Sequence, residues 1–336
     1  MNRRIAPPLI FLILPLIAAC SSSEDLDIVW EFKTGYPVRV APVVSGNNVY
    51  VGSDRFYCLN AETGKPVWEF DTYGIALSSA LVEDGYVYFQ CGGLYCLDAA
   101  TGNLVWEFWT GDWGEEKPAI ADGYIYSVVS SKAYCINAKN GKKIWSSKVC
   151  DTKAEQAVSD GRVYIGGDGK VYCLDAKSGR KFWNLNISIG QLYPVVSNGR
   201  VYVDGLEKKI YCINGLTGSI LWSHGLEISV KKLAVSGDCL YFCSNKIYCL
   251  NAVSGSLVWE SDLLRSKFHY LVIKLRSVSD RNLYVKINDR IVCIDIKTRR
   301  KLWDYIVPCG NFVIADGRVY LGSHDYKVYC LKAGEG

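Results

Sequence analysis

Cysteine, histidine and clustered acids are the side chains that most often support metal, redox or acid–base chemistry. This 336-residue chain holds 14 Cys and 3 His, with the adjacent acids Glu115-Glu116. A zinc site needs several such ligands converging within about 2.1–2.3 Å of one ion. His224, His269 and His324 fall on expected loops of one face, with Cys309 close by in chain order, but they are too dispersed along the sequence for a metal to be expected. Adjacency alone does not make Glu115 and Glu116 a general acid–base pair. The chain has no G-x-S-x-G, H-E-x-x-H, phosphate-binding or dinucleotide motif, and Gly166 to Lys170, GGDGK, reads as a hairpin turn. No catalytic residue is predicted.

The cysteines report something else through their spacing. Cys58, Cys96, Cys135, Cys173, Cys212, Cys249, Cys293 and Cys330 recur at intervals of 38, 39, 38, 39, 37, 44 and 37 residues. Each opens a version of the stretch Cys58 to Trp68, with Asn60, Thr63 and Gly64 between. Self-similarity at about 20–50 residues marks a solenoid or a propeller. Equivalent points in neighbouring units lie beyond the roughly 7 Å Cα limit for a disulfide, so these thiols are expected to be small buried packing residues. Cys91, Cys150, Cys239, Cys243 and Cys309 stand outside the repeat, and no pair among them is forced together.

Each unit of about 38 residues reads as four short strands. In the first these are Val40 to Ser45, Val49 to Gly52, Phe56 to Asn60 and Val67 to Phe70, separated by Gly and Asx turn signals. Four strands per unit is the blade of a β-propeller, and eight units predict an all-β, eight-bladed ring. Trp68, Trp106, Trp145, Trp183, Trp222, Trp259 and Trp303 each follow their cysteine by ten residues, while the eighth copy has no tryptophan. The orphan segment Ile28 to Phe32, with Trp30, matches Val67 to Phe70. It is therefore predicted to complete the eighth blade beside Val328 to Leu331, leaving no open sheet edge around the ring.

With these residues in register, the motif resembles the tryptophan-docking repeat of pyrroloquinoline-quinone-type propellers, with Cys where that family commonly has Ala, over residues 28–333. The resemblance implies that Trp30 and its seven counterparts lock each blade to the next. Quinone-dependent alcohol dehydrogenases share the repeat but are longer and carry a vicinal Cys-Cys that is absent here, so none of their catalytic or calcium-binding residues transfers. No cofactor is expected, with a quinone as the alternative.

The first nineteen residues form a different kind of segment. Asn2-Arg3-Arg4 precedes an apolar run from Ile5 to Ile17, then Ala18-Ala19-Cys20 and three serines. This pattern reads as an export signal and resembles a bacterial lipobox, which implies lipidation of Cys20 and a tether over 20–27. An ordinary secretory signal is the alternative. By the same resemblance, Ser21 favours the periplasmic face of the outer membrane in a Gram-negative cell. Lipobox and eight blades together resemble the lipoproteins of outer-membrane protein assembly. That implies a non-catalytic scaffold binding envelope proteins, with a small-ligand or quinone-binding module as the second reading and a carbohydrate-binding surface protein as a third.

Individuality is expected where the repeat leaves room. Trp109 and Trp113 lie outside the docking pattern and could stack on a flat ligand, anchor a peptide or pack their own loop. Arg39, Glu115, Lys117, Lys153, Glu155, Gln191, Tyr193, Lys232 and Asn311 are candidates for the lining of an axial funnel. Eleven Lys and Arg against four Asp between Ser261 and Lys301 give +7, and fifteen acids against five bases between Glu24 and Ile120 give −10. Such polarity is either a solvated surface or a docking surface for a protein partner. Nucleic acid is not an expected partner of an exported chain with this balance.

Overall fold

The computed structural model describes residues 27–76, 78–111, 117–150, 154–187, 193–227, 230, 232–244, 246–261, 273–278, 281–308 and 310–333. They form eight four-stranded antiparallel sheets, seven of them built from consecutive strands. In the eighth, Gly310–Ala315, Arg318–Ser323 and Lys327–Lys332 are joined by the N-terminal strand Ile28–Lys33. Trp30 lies opposite Cys330, Phe32 opposite Val328 and Lys33 opposite Lys327. The chain is an eight-bladed propeller closed by its own first strand.

One cross-strand triplet is repeated in every blade. The repeat cysteine on the third strand lies opposite a tryptophan on the fourth, as Cys58 faces Trp68, and opposite a tyrosine on the second, as it faces Tyr50. A register shift follows between Cys58 and Leu59, and the closing strand has its own shift between Ile28 and Trp30. A bulge at this point tightens the local twist of the outer strand. Each tryptophan is then carried onto the next blade.

Turn chemistry explains the hairpins. Asp84-Gly85, Asp122-Gly123, Asp160-Gly161, Asn198-Gly199 and Asp316-Gly317 all have positive φ at both residues, the requirement of the two-residue turns that match strand twist. In the first seven blades the turn after the third strand is an Asx turn, as where Asn60 Oδ1 accepts hydrogen bonds from Thr63 N at 2.9 Å and Glu62 N at 3.1 Å. Gly64 follows with φ +69°. The first innermost strand is Val43–Ser45, shorter than the Val40 to Ser45 expected from sequence. Pro42 supplies no amide hydrogen to a ladder, and Pro118 and Pro194 likewise immediately precede Ala119–Ala121 and Val195–Ser197.

Antiparallel order fixes two faces. The turns between strands one and two and between strands three and four lie at one end, here the turn face. The turns between strands two and three, and the links from each outer strand to the next inner strand, lie at the other, here the connector face. Asp27, whose carbonyl accepts the Lys332 amide at 3.0 Å, leads the closing strand in from the turn face.

Candidate functional site

The tryptophans form the lock between blades. Nε1 of Trp30, Trp68, Trp106, Trp145, Trp183 and Trp222 donates to a backbone carbonyl of the following blade (Ala61, Ala99, Ala138, Ala176, Gly215 and Ala252) at 2.8 to 3.2 Å. Each ring lies on the turn glycine of that blade. A Cβ at Gly64, Gly102, Gly141, Gly179, Gly218 or Gly255 would stand 2.5 to 2.7 Å from an indole carbon. In the seventh blade Arg299 takes this position at φ 61°, its guanidinium 5.8 Å from the Trp259 ring centroid. Trp303 is buried between the seventh and eighth blades among Val307, Phe312 and Tyr329.

Sequence reasoning missed the tyrosine of the triplet. Its ring lies 5.9 to 6.2 Å from the docking indole in all eight blades. Tyr50, Tyr88, Tyr126, Tyr202 and Tyr320 hydroxyls donate to the same carbonyl that the indole uses, at 3.0 to 3.4 Å. The recurring V-Y pair of the second strand was the available signal. All eight repeat cysteines are buried free thiols. Burial pushes Cys58 and Cys96 up to about 12, against a hydrogen bond from the neighbouring tyrosine that pulls each down. These are packing positions, not reactive ones.

The connector face is where chain-specific chemistry collects. Arg39, Lys117, Tyr193 and Lys232 lie just before the inner strands rather than on them, for the proline reason given above in the first three cases. Glu155 and Asn311 are on inner strands. Neighbouring blades are tied at this level by Asn311 Nδ2 to the Arg39 carbonyl, 2.6 Å, and Gln156 Nε2 to the Lys117 carbonyl, 2.7 Å. Desolvation lowers the Lys117 pKa, and the Glu155 carboxylate opposes that shift. Trp113, Glu115, Lys153, Gln191, Cys20, His269 and Cys309 lie outside the described residues. His224 sits on the outer strand Ile220–Gly225 and not on a loop, because that strand continues three residues past Trp222. Among the described residues no three His, Cys, Asp or Glu gather as a metal site.

Trp109 is 62% exposed and belongs to a larger group. Tyr36, in the link from the eighth to the first blade, is 51% exposed, and Tyr73, in the next link, is 80% exposed. Trp109 ends the outer strand Leu104–Trp109 of the second blade, and Tyr326, 46% exposed, occupies the eighth blade's turn between strands two and three. Four exposed aromatics therefore follow one arc of the connector face. Their supports are fixed. Thr34 and Ser53 hydroxyls each donate to the Tyr36 carbonyl at 2.7 Å, and Gly35 N donates to Asp54 Oδ1 at 2.8 Å. Burial disfavours the charged Asp54 carboxylate, but hydrogen bonds from Gly35 N and the Tyr57 hydroxyl outweigh it and hold its pKa below the usual value. Beside Tyr73, the Thr72 hydroxyl and Cys91 Sγ donate to the Gly74 carbonyl at 2.5 and 3.3 Å. The same question that singled out Trp109, which aromatics fall outside the repeat, finds Tyr36 and Tyr73.

The family described as outer membrane protein assembly factor BamB matches residues 22–93, 90–187 and 129–336. The chain belongs to the BamB family. No curated protein sequence matches it. BamB from Moraxella catarrhalis superposes with a TM-score of 0.73 at 16% identity, over 91% of this chain and 99% of that one. The computationally designed Ika8 protein gives 0.79 at 16% identity over 91% and 99%. The quinohemoprotein alcohol dehydrogenase ADHIIG from Pseudomonas putida HK5 gives 0.67 at 13%, covering 93% of this chain and 76% of its own. At these identities the shared property is the propeller.

Proposed function

We propose that this BamB-family chain is a lipid-anchored, non-catalytic scaffold of the cell envelope that binds a protein partner through its connector face. The observation that carries the reading is the arc of Tyr326, Tyr36, Tyr73 and Trp109 on hydrogen-bonded, preorganised supports. Exposed aromatics held rigid lose little entropy on binding and are the commonest interface anchors. Beside the arc Glu69 and Asp71 pair with Arg55, and Glu31 with Lys327, so the contact offered to a partner is chiefly the aromatic one. Lipidation at Cys20 would hold the scaffold at the membrane, on the periplasmic side of the outer membrane in a Gram-negative cell. A photo-crosslinker in place of Tyr73, in native membranes, is expected to capture an envelope protein, and Tyr36→Ala with Trp109→Ala should abolish capture. Capture of nothing from intact membranes, or capture unaffected by both substitutions, overturns the reading.

A second reading rests on Arg39, Lys117 and Lys232, which precede three inner strands, with the Lys117 ammonium partly desolvated beside Glu155. Such a ring suits a small anionic ligand, a quinone carboxylate among them, held by these cations. Protein isolated from its own host and examined by absorbance and native mass spectrometry should then carry a stoichiometric ligand that Lys117→Ala releases.

A further inference from the structure

The fifth and sixth blades break the chemistry of the turn face. Four residues past the repeat cysteine, other blades carry Glu62, Ala100, Lys139, Lys177 or Lys297. These two carry Leu216 and Val253, 65% and 51% exposed. The residues leading into their docking tryptophans, Ile220-Leu221 and Leu257-Val258, are 46% to 49% exposed. The second and eighth blades hold comparable pairs, Leu104-Val105 and Ile28-Val29, but without a large apolar residue at the position four past the cysteine, while the third, fourth and seventh blades begin the same strand with Lys143, Lys181 and Lys301. Two adjacent blades thus present six large apolar side chains at one end, a cluster of the kind that marks an interaction surface.

Basic residues flank that cluster on both sides. The fourth blade contributes exposed Lys177 and Arg180, and the seventh contributes exposed Lys297 and Arg300. Two of the nearby carboxylates are engaged within their own turns: Asp175 accepts from Ser178 N at 2.7 Å, and Asp295 accepts from Thr298 N at 2.5 Å. Asp160 and Asp238 remain at the first hairpins of the fourth and sixth blades. Across the ring, the same face of the first two blades carries Glu62, Glu83, Asp84 and Asp98 against Lys65.

We propose that the turn face of the fifth and sixth blades rests on an anionic lipid bilayer. An apolar centre with Lys and Arg at its margins is the pattern of interfacial binding, in which apolar burial adds to the attraction of each basic residue for an anionic surface. The path of the chain selects the same face. Asp27 enters the ring on the turn face, with Ile28 and Val29 exposed beside it, and the stretch from Cys20 to Asp27 reaches at most about 25 Å. An acyl chain on Cys20, which belongs to the preceding proposal, would press this end of the ring against the membrane. The aromatic arc on the connector face is then turned away from the lipid, toward protein partners.

All eight sheets close within residues 28–332, so the chain from Ser21 to Gly336, without leader or acyl group, contains the complete ring. Floated with vesicles of phosphatidylcholine alone or mixed with phosphatidylglycerol, it is expected to associate with the mixed vesicles only, less so at high salt. Leu221→Asp with Leu257→Asp should weaken that association about tenfold or more, as should Lys177→Glu with Lys297→Glu, with circular dichroism and melting temperature unchanged. No association with anionic vesicles overturns the proposal. So does wild-type flotation of a correctly folded double-Asp variant, or capture of an acidic protein by this patch in place of lipid. Separately, the intact mass of envelope-extracted wild type reports acylation of Cys20, and its absence would refute the anchor without altering the vesicle result.

Discussion

Replacing Trp30 by Ala tests the ring closure directly. Trp30 is 8% exposed, its Nε1 donates to the Ala61 carbonyl at 2.9 Å, and its ring covers Gly64. Burial of an indole involves about 150–250 Å², and large-to-small substitution at such a site costs about 3–5 kcal/mol. The Ala61 carbonyl would not be orphaned, because Arg318 Nη1 at 3.0 Å and the Tyr320 hydroxyl at 3.4 Å still reach it. The loss is therefore mainly packing, about 4 kcal/mol. At about 2 cal/mol/K of unfolding entropy per residue over a ring of this size, that is a fall in melting temperature of about 6 °C. Trp68→Ala should cost a similar amount, but its strand is continuous with the chain on both sides. Only the Trp30 variant should therefore show faster amide exchange at Glu31, Phe32 and Lys33. A drop below about 2 °C, or unchanged exchange in that strand, would refute the closure argument.

Three further outcomes follow from specific geometry. Gly141→Ala places a methyl 2.7 Å from Trp106 Cδ2 at φ +68°, so the backbone penalty of about 1 kcal/mol and the displaced indole should together cost about 2–3 kcal/mol in urea unfolding. Asp204 is half-buried, and desolvation pushes its pKa from 3.8 up to about 6; this raised pKa means the folded state favours the protonated acid, so the stability it contributes is present below about pH 4 and lost as pH rises through 6. The shift corresponds to about 3 kcal/mol, reduced to about 1–2 by partial solvent access, so Asp204→Asn should be more stable than wild type at pH 7.5 and equal to it at pH 4. Burial raises the repeat thiols Cys135, Cys212, Cys293 and Cys330 to about 11, so an alkylating reagent at pH 7.5 should label them only after unfolding, as read by intact mass.

The fold was legible because eight copies of one unit average out the ambiguity of any single short strand. The missing eighth tryptophan and the orphan Ile28 to Phe32 were enough to place the closing strand. Arg299 stands at the turn-glycine position of the seventh repeat and still adopts φ 61°, so the repeat dictates the backbone even where the residue type departs. Legibility declined where residues leave the repeat. A proline shortly after Arg39, Lys117 and Tyr193 delays the inner strand in each case, so pleat alternation does not set which way these funnel candidates face. His224 was placed on a loop because strand four was taken to end soon after the tryptophan. The exposed tyrosines of the links were invisible to a search for periodicity, since they have none.

The two surfaces that set this chain apart share a physical origin. Packing between blades fixes the tyrosine, cysteine and tryptophan of every unit and the turn glycine of the first six, and the Asx turn fixes the Asn or Asp of the first seven and usually their Thr or Ser. What remains free on the turn face is the residue four past the cysteine and the pair before the tryptophan, and Leu216, Val253, Ile220, Leu221, Leu257 and Val258 occupy those positions. On the connector face the links have no repeat constraint, and Tyr36, Tyr73 and Trp109 fall there or at their margin. A propeller of nearest-neighbour contacts can vary these sites without changing its lock, because none of them lies between blades. Among the first seven blades, the fifth and sixth alone fill all three open positions with large apolar residues, and aromatics gather at the links of the opposite face, although the ring's own stability asks for neither. Contact with something outside the ring accounts for both, and the opposed placement of the two surfaces allows one molecule to engage lipid and protein together.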